Sequence, residues 1–180
     1  GGYSGSPIDL STPLEGIAAK MGVSANDGRV EFEDCTELSY TGGGNHLVRE
    51  ANGSSGNLGY IHNGDWVAFN EIDFGEGKSR LTLYTGAQNN NPTVVNISLD
   101  TRKTVPDMQI SIPPTGSWSS YKETTFNVDP AIFKGKHKVY FTFRFANQSY
   151  GANMDWFRFD NPGEENPLQL NGPLYYVQGC

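Results

Sequence analysis

Rings set beside turn-forming residues dominate the chemistry this sequence can offer. Gly59-Tyr60-Ile61-His62-Asn63-Gly64-Asp65-Trp66 is one such segment, and Pro114-Thr115-Gly116-Ser117-Trp118 is a second. A third, Asn153-Met154-Asp155-Trp156-Phe157-Arg158-Phe159, opens on an amide and runs into a strand pattern. Gly, Asn and Pro mark the places where strands give way to turns. A planar ring held on a loop at the rim of a rigid scaffold is a platform for a flat ligand face. Sugars have such faces, because their C–H groups pack on π-systems while their hydroxyls seek amides and carboxylates.

Covalent chemistry is poorly provided for. Glycosidic bonds are cleaved by carboxylates placed across a cleft, and Glu31 and Glu33 stand two apart on an expected strand, too near and too parallel to flank a bond. His46, His62 and His137 lack metal-ligand spacing, and no Ser or Cys sits in a nucleophile-elbow pattern. No catalytic residues are expected. Two parallel carboxylates repel unless they are solvated or a cation lies between them. Both readings of Glu31 and Glu33 stand, a solvated edge strand or part of an oxygen-ligand site of the kind calcium takes.

The elements that would carry these groups are mostly strands. From Arg29 onward the period is two, in Val30-Glu31-Phe32-Glu33, Asp65–Phe69, Arg80–Tyr84, Val94–Leu99, Lys136–Phe145 and Asp155–Phe159. Eight or more short strands separated by Gly, Asn and Pro predict an all-β antiparallel sandwich. Before them, Thr12-Pro13-Leu14-Glu15 has the form of a helix start, and Leu14, Ile17, Ala18 and Met21 follow at helical spacing. One short N-terminal helix is expected outside the sandwich, either packed on it or belonging to a neighbouring domain. The organisation expected is therefore 1–28 as extension or linker, 29–160 as the sandwich, and 161–180 as tail or linker.

Composition agrees with that reading. Among 180 residues, 18% are charged and 22 are Gly, a turn-rich balance that suits strands and loops. The formal charge of −7 argues against nucleic acid, whose phosphates need a basic stripe. No run approaches the roughly 18 apolar residues of a membrane-spanning helix, so no membrane partner is expected. Cys35 and Cys180 leave two readings open, a disulfide in an oxidising compartment or two thiols.

Five segments in order carry a resemblance. They are Glu31-x-Glu33, the Gly59-Tyr60-Ile61-x-x-Gly64-Asp65-Trp66 segment, Pro113-x-Thr115-Gly116-x-Trp118, Gly135-x-His137-x-Val139, and Asn153-x-Asp155-Trp156-Phe157-x-Phe159. Together they resemble the family 6 carbohydrate-binding modules over about residues 29–160. The resemblance implies a jelly-roll β-sandwich without catalytic activity, carried beside a parent glycoside hydrolase on the same chain and secreted with it. It implies that Tyr60 and Trp118 grip a sugar between two rings at one end of the sandwich. Asn153 and Glu50 would bond its hydroxyls, and Trp66 is a possible second contact on the concave sheet face. It further implies a structural calcium held by Glu31, Glu33 and Asp155, with a carbonyl from the loop after Glu50. A monomer binding xylan or a β-1,3- or mixed-linkage glucan is expected, with agarose or another galactan behind them. The competing expectation is a sandwich used for protein or interdomain contact, which needs an apolar patch or open edge rather than exposed rings.

Overall fold

A computed structural model describes residues 28–40, 46–52 and 55–164. The expected helix near Leu14 and the thiol of Cys180 lie outside the described residues. Eleven strands run in chain order: β1 (Val30–Glu31), β2 (Glu37–Leu38), β3 (Val48–Asn52), β4 (Ser55–Gly59), β5 (Trp66–Asp73), β6 (Arg80–Gly86), β7 (Thr93–Leu99), β8 (Met108–Ile112), β9 (Tyr121–Asn127), β10 (Lys136–Arg144) and β11 (Asn153–Asp160). They form two antiparallel sheets, the all-β sandwich that the period-two pattern predicts. One sheet has the order β3-β4-β11-β6-β9, with β1 also paired to β11, and the other has the order β2-β5-β10-β7-β8.

Alternation decides what each sheet buries. On β10, Val139, Phe141 and Phe143 face the core, while Tyr140 and Thr142 between them are only half-buried. On β5, Val67 and Phe69 point inward and Trp66 points out. At the centre Phe32, Phe69, Phe141 and Phe157 lie with neighbouring centroids 4.9–5.9 Å apart, mostly edge to face. That geometry sets the positive ring edges against the negative faces.

Three local readings are corrected. Glu33 is not on the first strand, because Val30–Glu31 is followed at once by a 3₁₀ turn over Phe32–Asp34. The turn buries Phe32 completely, so core packing and not alternation fixes this segment. The stretch from Ala51 to Asn57 is mostly strand rather than loop, since β3 and β4 pair from Val48↔Gly59 to Asn52↔Ser55. Lastly, β11 carries a bulge between Met154 and Trp156. The extra residue keeps both Met154 and Phe157 in the core and turns Trp156 to the outer face of its sheet.

Asn161 and Glu164 close the described chain against the sandwich. Asn161 Oδ1 accepts from the Ser79 amide at 2.9 Å, and Lys78 Nζ donates to Glu164 at 3.0 Å. Cys35 is buried, and Arg49 donates to its sulfur at 3.3 Å.

Candidate functional site

Strand order brings the ring-bearing segments to one rim. β4 ends at Gly59, β11 begins at Asn153, β6 ends at Gly86 and β9 begins at Tyr121. Register sets Asn153 opposite Gly86, and Gly86 opposite Tyr121. These four strand ends therefore lie side by side, with Tyr60 just beyond β4 and Trp118 three residues before β9.

The Trp118 loop is held by its Thr and Gly. The Thr115 hydroxyl accepts from the Ala87 amide at 2.7 Å, and the Thr115 and Gly116 amides both donate to the Ala87 carbonyl. Gly116 sits at φ +93°, a conformation that side chains with a Cβ rarely adopt. Trp118 then passes over β6: its carbonyl oxygen would lie 2.5 Å from a Cβ placed on Gly86. The same carbonyl accepts from Asn153 Nδ2 at 3.4 Å. The ring is half-buried, not enclosed in the core.

Tyr60 stands on the other side of Asn153. Its ring is 41% exposed while Ile61 beside it is fully buried, so the core place in this pair belongs to Ile61. Tyr60 also holds φ +53°, left-handed geometry that costs an ordinary residue about 1–2 kcal/mol. Strain of that kind persists where its surroundings hold it, here by an edge-on contact with Tyr150 at 5.5 Å. Tyr150 in turn meets His62 at 5.2 Å, and its carbonyl accepts from Asn89 at 2.8 Å. Tyr60 follows β4 and Trp118 passes over β6, the two strands that flank β11 in the sheet.

Glu50 lies on the same sheet, opposite Asn57, which donates to its Oε2 at 2.8 Å. Its carboxylate occupies the space over Gly59, where any Cβ would overlap it. Tyr121 joins the group, since Gly86 lies between it and Asn153 in the register. Burial raises the Tyr121 phenol above its usual range, and the charges of Asp155 and Glu50 add to the effect. Sequence reasoning did not select Tyr121 or Tyr150. Tyr150 carried the signal used elsewhere, an aromatic beside Gly151 in a turn, whereas nothing in the sequence reveals that Tyr121 stands beside this group.

Trp66 belongs to the other sheet. It lies on the outer face of the second sheet, against Tyr140 with centroids 5.8 Å apart. The Arg102 guanidinium covers it at 4.5 Å.

The acidic residues gather where β1 gives way to the 3₁₀ turn beside β11 and β4. Glu31 is pushed up to about 7, first by burial and then by the charges of Glu33, Asp155 and Asp34. Burial also raises Glu33 and Asp155; the backbone amides of Glu33 and Gly56 work against the rise of Glu33, and the Glu31 side chain and the Arg29 charge against that of Asp155. Glu33 Oε2 is buried without a hydrogen-bond partner. Glu33 Oε1 and the Glu50 carbonyl converge on the bare side of Gly56, 2.7 and 2.8 Å from where a Cβ would sit. Among the described residues, no three His, Cys, Asp or Glu side chains close into a metal-ligand set. Nevertheless, an orphaned buried carboxylate oxygen, a carbonyl aimed at the same point and mutually repelling acids are an all-oxygen donor set suited to a hard cation.

A rim that carries exposed and half-buried rings beside an amide is a surface on which a flat ligand can stack. The sequence profile of the carbohydrate-binding module family 6 matches residues 37–161, more than half the chain, and the chain belongs to that non-catalytic family. The arabinoxylan arabinofuranohydrolase of Paenibacillus polymyxa is 26% identical over 103 residues, 57% of this chain and 16% of the enzyme. The chain therefore spans about one-sixth of that relative's length. A family 6 module from Clostridium cellulolyticum in complex with xylose superimposes with a TM-score of 0.63 at 25% identity, covering 73% of this chain and 95% of the module. A family 36 module in complex with calcium and xylotriose shares the fold at a TM-score of 0.54 and 14% identity, over 73% of this chain and 98% of that one.

Proposed function

We propose that this module holds a β-linked cell-wall polysaccharide, xylan foremost, between Tyr60 and Trp118, and so anchors a parent glycoside hydrolase, secreted with it, to its substrate. The observation that carries the reading is the place of Asn153. It lies between the two ring-bearing loops and donates to the Trp118 carbonyl. A sugar lying across β11 would meet rings on its two sides and the Asn153 amide beneath. Glu50, fixed by Asn57, would take a further hydroxyl. Xylan is favoured because the similar module was seen with xylose and the similar enzyme is named for arabinoxylan. A calcium ion held by Glu31, Glu33, Asp155 and the Glu50 carbonyl would tie β1 to β11 and β4. It would screen repulsion there and take no part in sugar contact.

Native affinity electrophoresis against xylans, β-glucans, agarose and arabinan tests the ligand class. Retardation by xylan is expected. Migration unchanged by every polysaccharide in the panel would remove Tyr60 and Trp118 from this role and return weight to protein contact.

A second expectation concerns the support under Trp118. In Gly86→Ala the new methyl would meet the Trp118 carbonyl at 2.5 Å and the Tyr121 ring at 3.3 Å, neither of them a flexible tip. Displacing the loop should weaken xylan binding about tenfold, one step of roughly 1.4 kcal/mol. Calorimetric titration of the variant beside the wild type measures it, and equal affinities would mean that the Trp118 loop does not contact sugar.

A further inference from the structure

The outer face of the second sheet carries a charge pattern that the rim site does not explain. Trp66 and Tyr140 form an aromatic pair there, with Thr142 opposite Trp66 and Ala68 opposite Tyr140 in the register. Across the neighbouring strands Gln109 donates to Asn96 at 2.8 Å, adding an amide patch to the same face. Most basic side chains near this face are neutralised. Lys138 pairs with Glu37 at 2.5 Å, Lys103 with Asp107 at 2.6 Å, and His137 with Asp100 at 2.8 Å.

Arg102 is different. Its guanidinium carbon lies 4.5 Å from the Trp66 centroid, and among the described residues it meets no carboxylate. Arg144 is also exposed, two residues beyond Thr142 on the outward-facing side of β10, and it likewise has no carboxylate partner among the described residues. In a chain of net charge −7, two uncompensated guanidinium groups on one sheet face are a local reversal of sign. A guanidinium is a planar fork of N–H donors that matches a carboxylate with two parallel hydrogen bonds.

We propose that the second sugar contact the family resemblance implies at Trp66 is, in this chain, selective for polysaccharides that carry uronic acid units. The uronate carboxylate would sit on the Arg102 edge, its ring would lie against Tyr140, and the Asn96–Gln109 amides would take its hydroxyls. Sugar contact at Trp66 is the family expectation; the requirement for an anionic unit comes from Arg102. A neutral sugar reaching Trp66 must displace the guanidinium and offers it nothing in return. The proposal rests on the chain's membership of a glycan-binding family and is independent of the rim assignment.

Calorimetric titration with two xylo-oligosaccharides, one unbranched and one bearing a glucuronic acid branch, tests it in the wild type and four variants. In the Trp118→Ala background the branched ligand is expected to keep measurable binding that disappears at high salt. Adding Arg102→Gln should weaken that binding at least tenfold, as should adding Trp66→Ala. Arg102→Gln alone should leave the unbranched ligand unaffected, because the exposed side chain lies against Trp66 of the other sheet. Equal binding of the branched ligand with and without Arg102 would overturn the proposal. So would a parallel loss for both ligands, or equally tight binding of a sulfated galactan, which would indicate unselective anion attraction. Failure of the rim reading would appear separately, as undiminished binding of the unbranched ligand by Trp118→Ala.

Discussion

Trp118→Ala should lose xylan binding by a hundredfold or more while melting within a few degrees of the wild type. The size follows from where the ring stands. An aromatic anchor at the centre of a small site typically costs about 2–4 kcal/mol on truncation, or roughly thirtyfold to a thousandfold. Shallow sugar sites have little affinity to spare, so such a loss takes binding beyond detection. The small effect on stability follows from what holds the loop. Thr115, Gly116 and Ala87 anchor it through backbone and hydroxyl bonds that survive removal of the ring. The contact with Asn153 is made by the Trp118 carbonyl, which the substitution retains. Parallel titration and thermal melts decide it. A large fall in melting temperature with the loss of binding would show the ring to be a structural support.

Removing divalent cations is the second large effect. Chelation should lower the melting temperature by about 5–10 °C near pH 8, the shift expected when a ligand present at 100 times its dissociation constant is lost from a domain of this size. The pH dependence has a definite sign. Glu31 titrates near 7 in the folded, metal-free protein against an ordinary value of 4.5. Between these values the folded state holds a proton that the unfolded chain has released. This stability contribution is therefore full below pH 4.5 and lost as pH rises through 7. The raised Glu33 and Asp155 act in the same direction. With calcium bound the carboxylates must be ionised, so the metal should remove this decline. The gap in melting temperature between calcium and chelator should accordingly be small at pH 5 and greatest above pH 7. A gap that widens toward acid, or none at pH 8, would contradict a cation at these carboxylates.

Alternation and turn residues made much of the fold legible. The strands around Phe69, Leu83, Ile97, Phe141 and Phe157 are long enough that the inward set is unmistakable. Shorter pieces were not. Val30-Glu31-Phe32-Glu33 alternates in type, but two residues of strand and one 3₁₀ turn satisfy the same pattern once Phe32 must enter the core. The bulge at Asp155 is silent for a similar reason, because an inserted residue leaves composition unchanged while re-aiming every side chain before it. The rim is a property of strand order. Gly59, Asn153, Gly86 and Tyr121 are distant in sequence and adjacent only because β4, β11, β6 and β9 are neighbours. Tyr60 and Trp118 could be named from their turns, and Asn153 and Glu50 from the family resemblance. The place of Tyr121 beside this group required the register.

The three tryptophans allow the central claim to be tested in one spectrum, since each reports on a different surface. Trp118 stands at the rim, Trp66 on the outer face of the second sheet, and Trp156 on the outer face of the first sheet, at 4% exposure and stacked on Tyr84. Titrating an isotope-labelled sample with unbranched xylo-oligosaccharide and following the three indole N–H resonances locates the sugar directly. A rim site requires the Trp118 resonance to move progressively to saturation while those of Trp66 and Trp156 stay nearly in place. Movement confined to Trp66 or Trp156, with Trp118 still, would place the sugar on a sheet face and contradict the account.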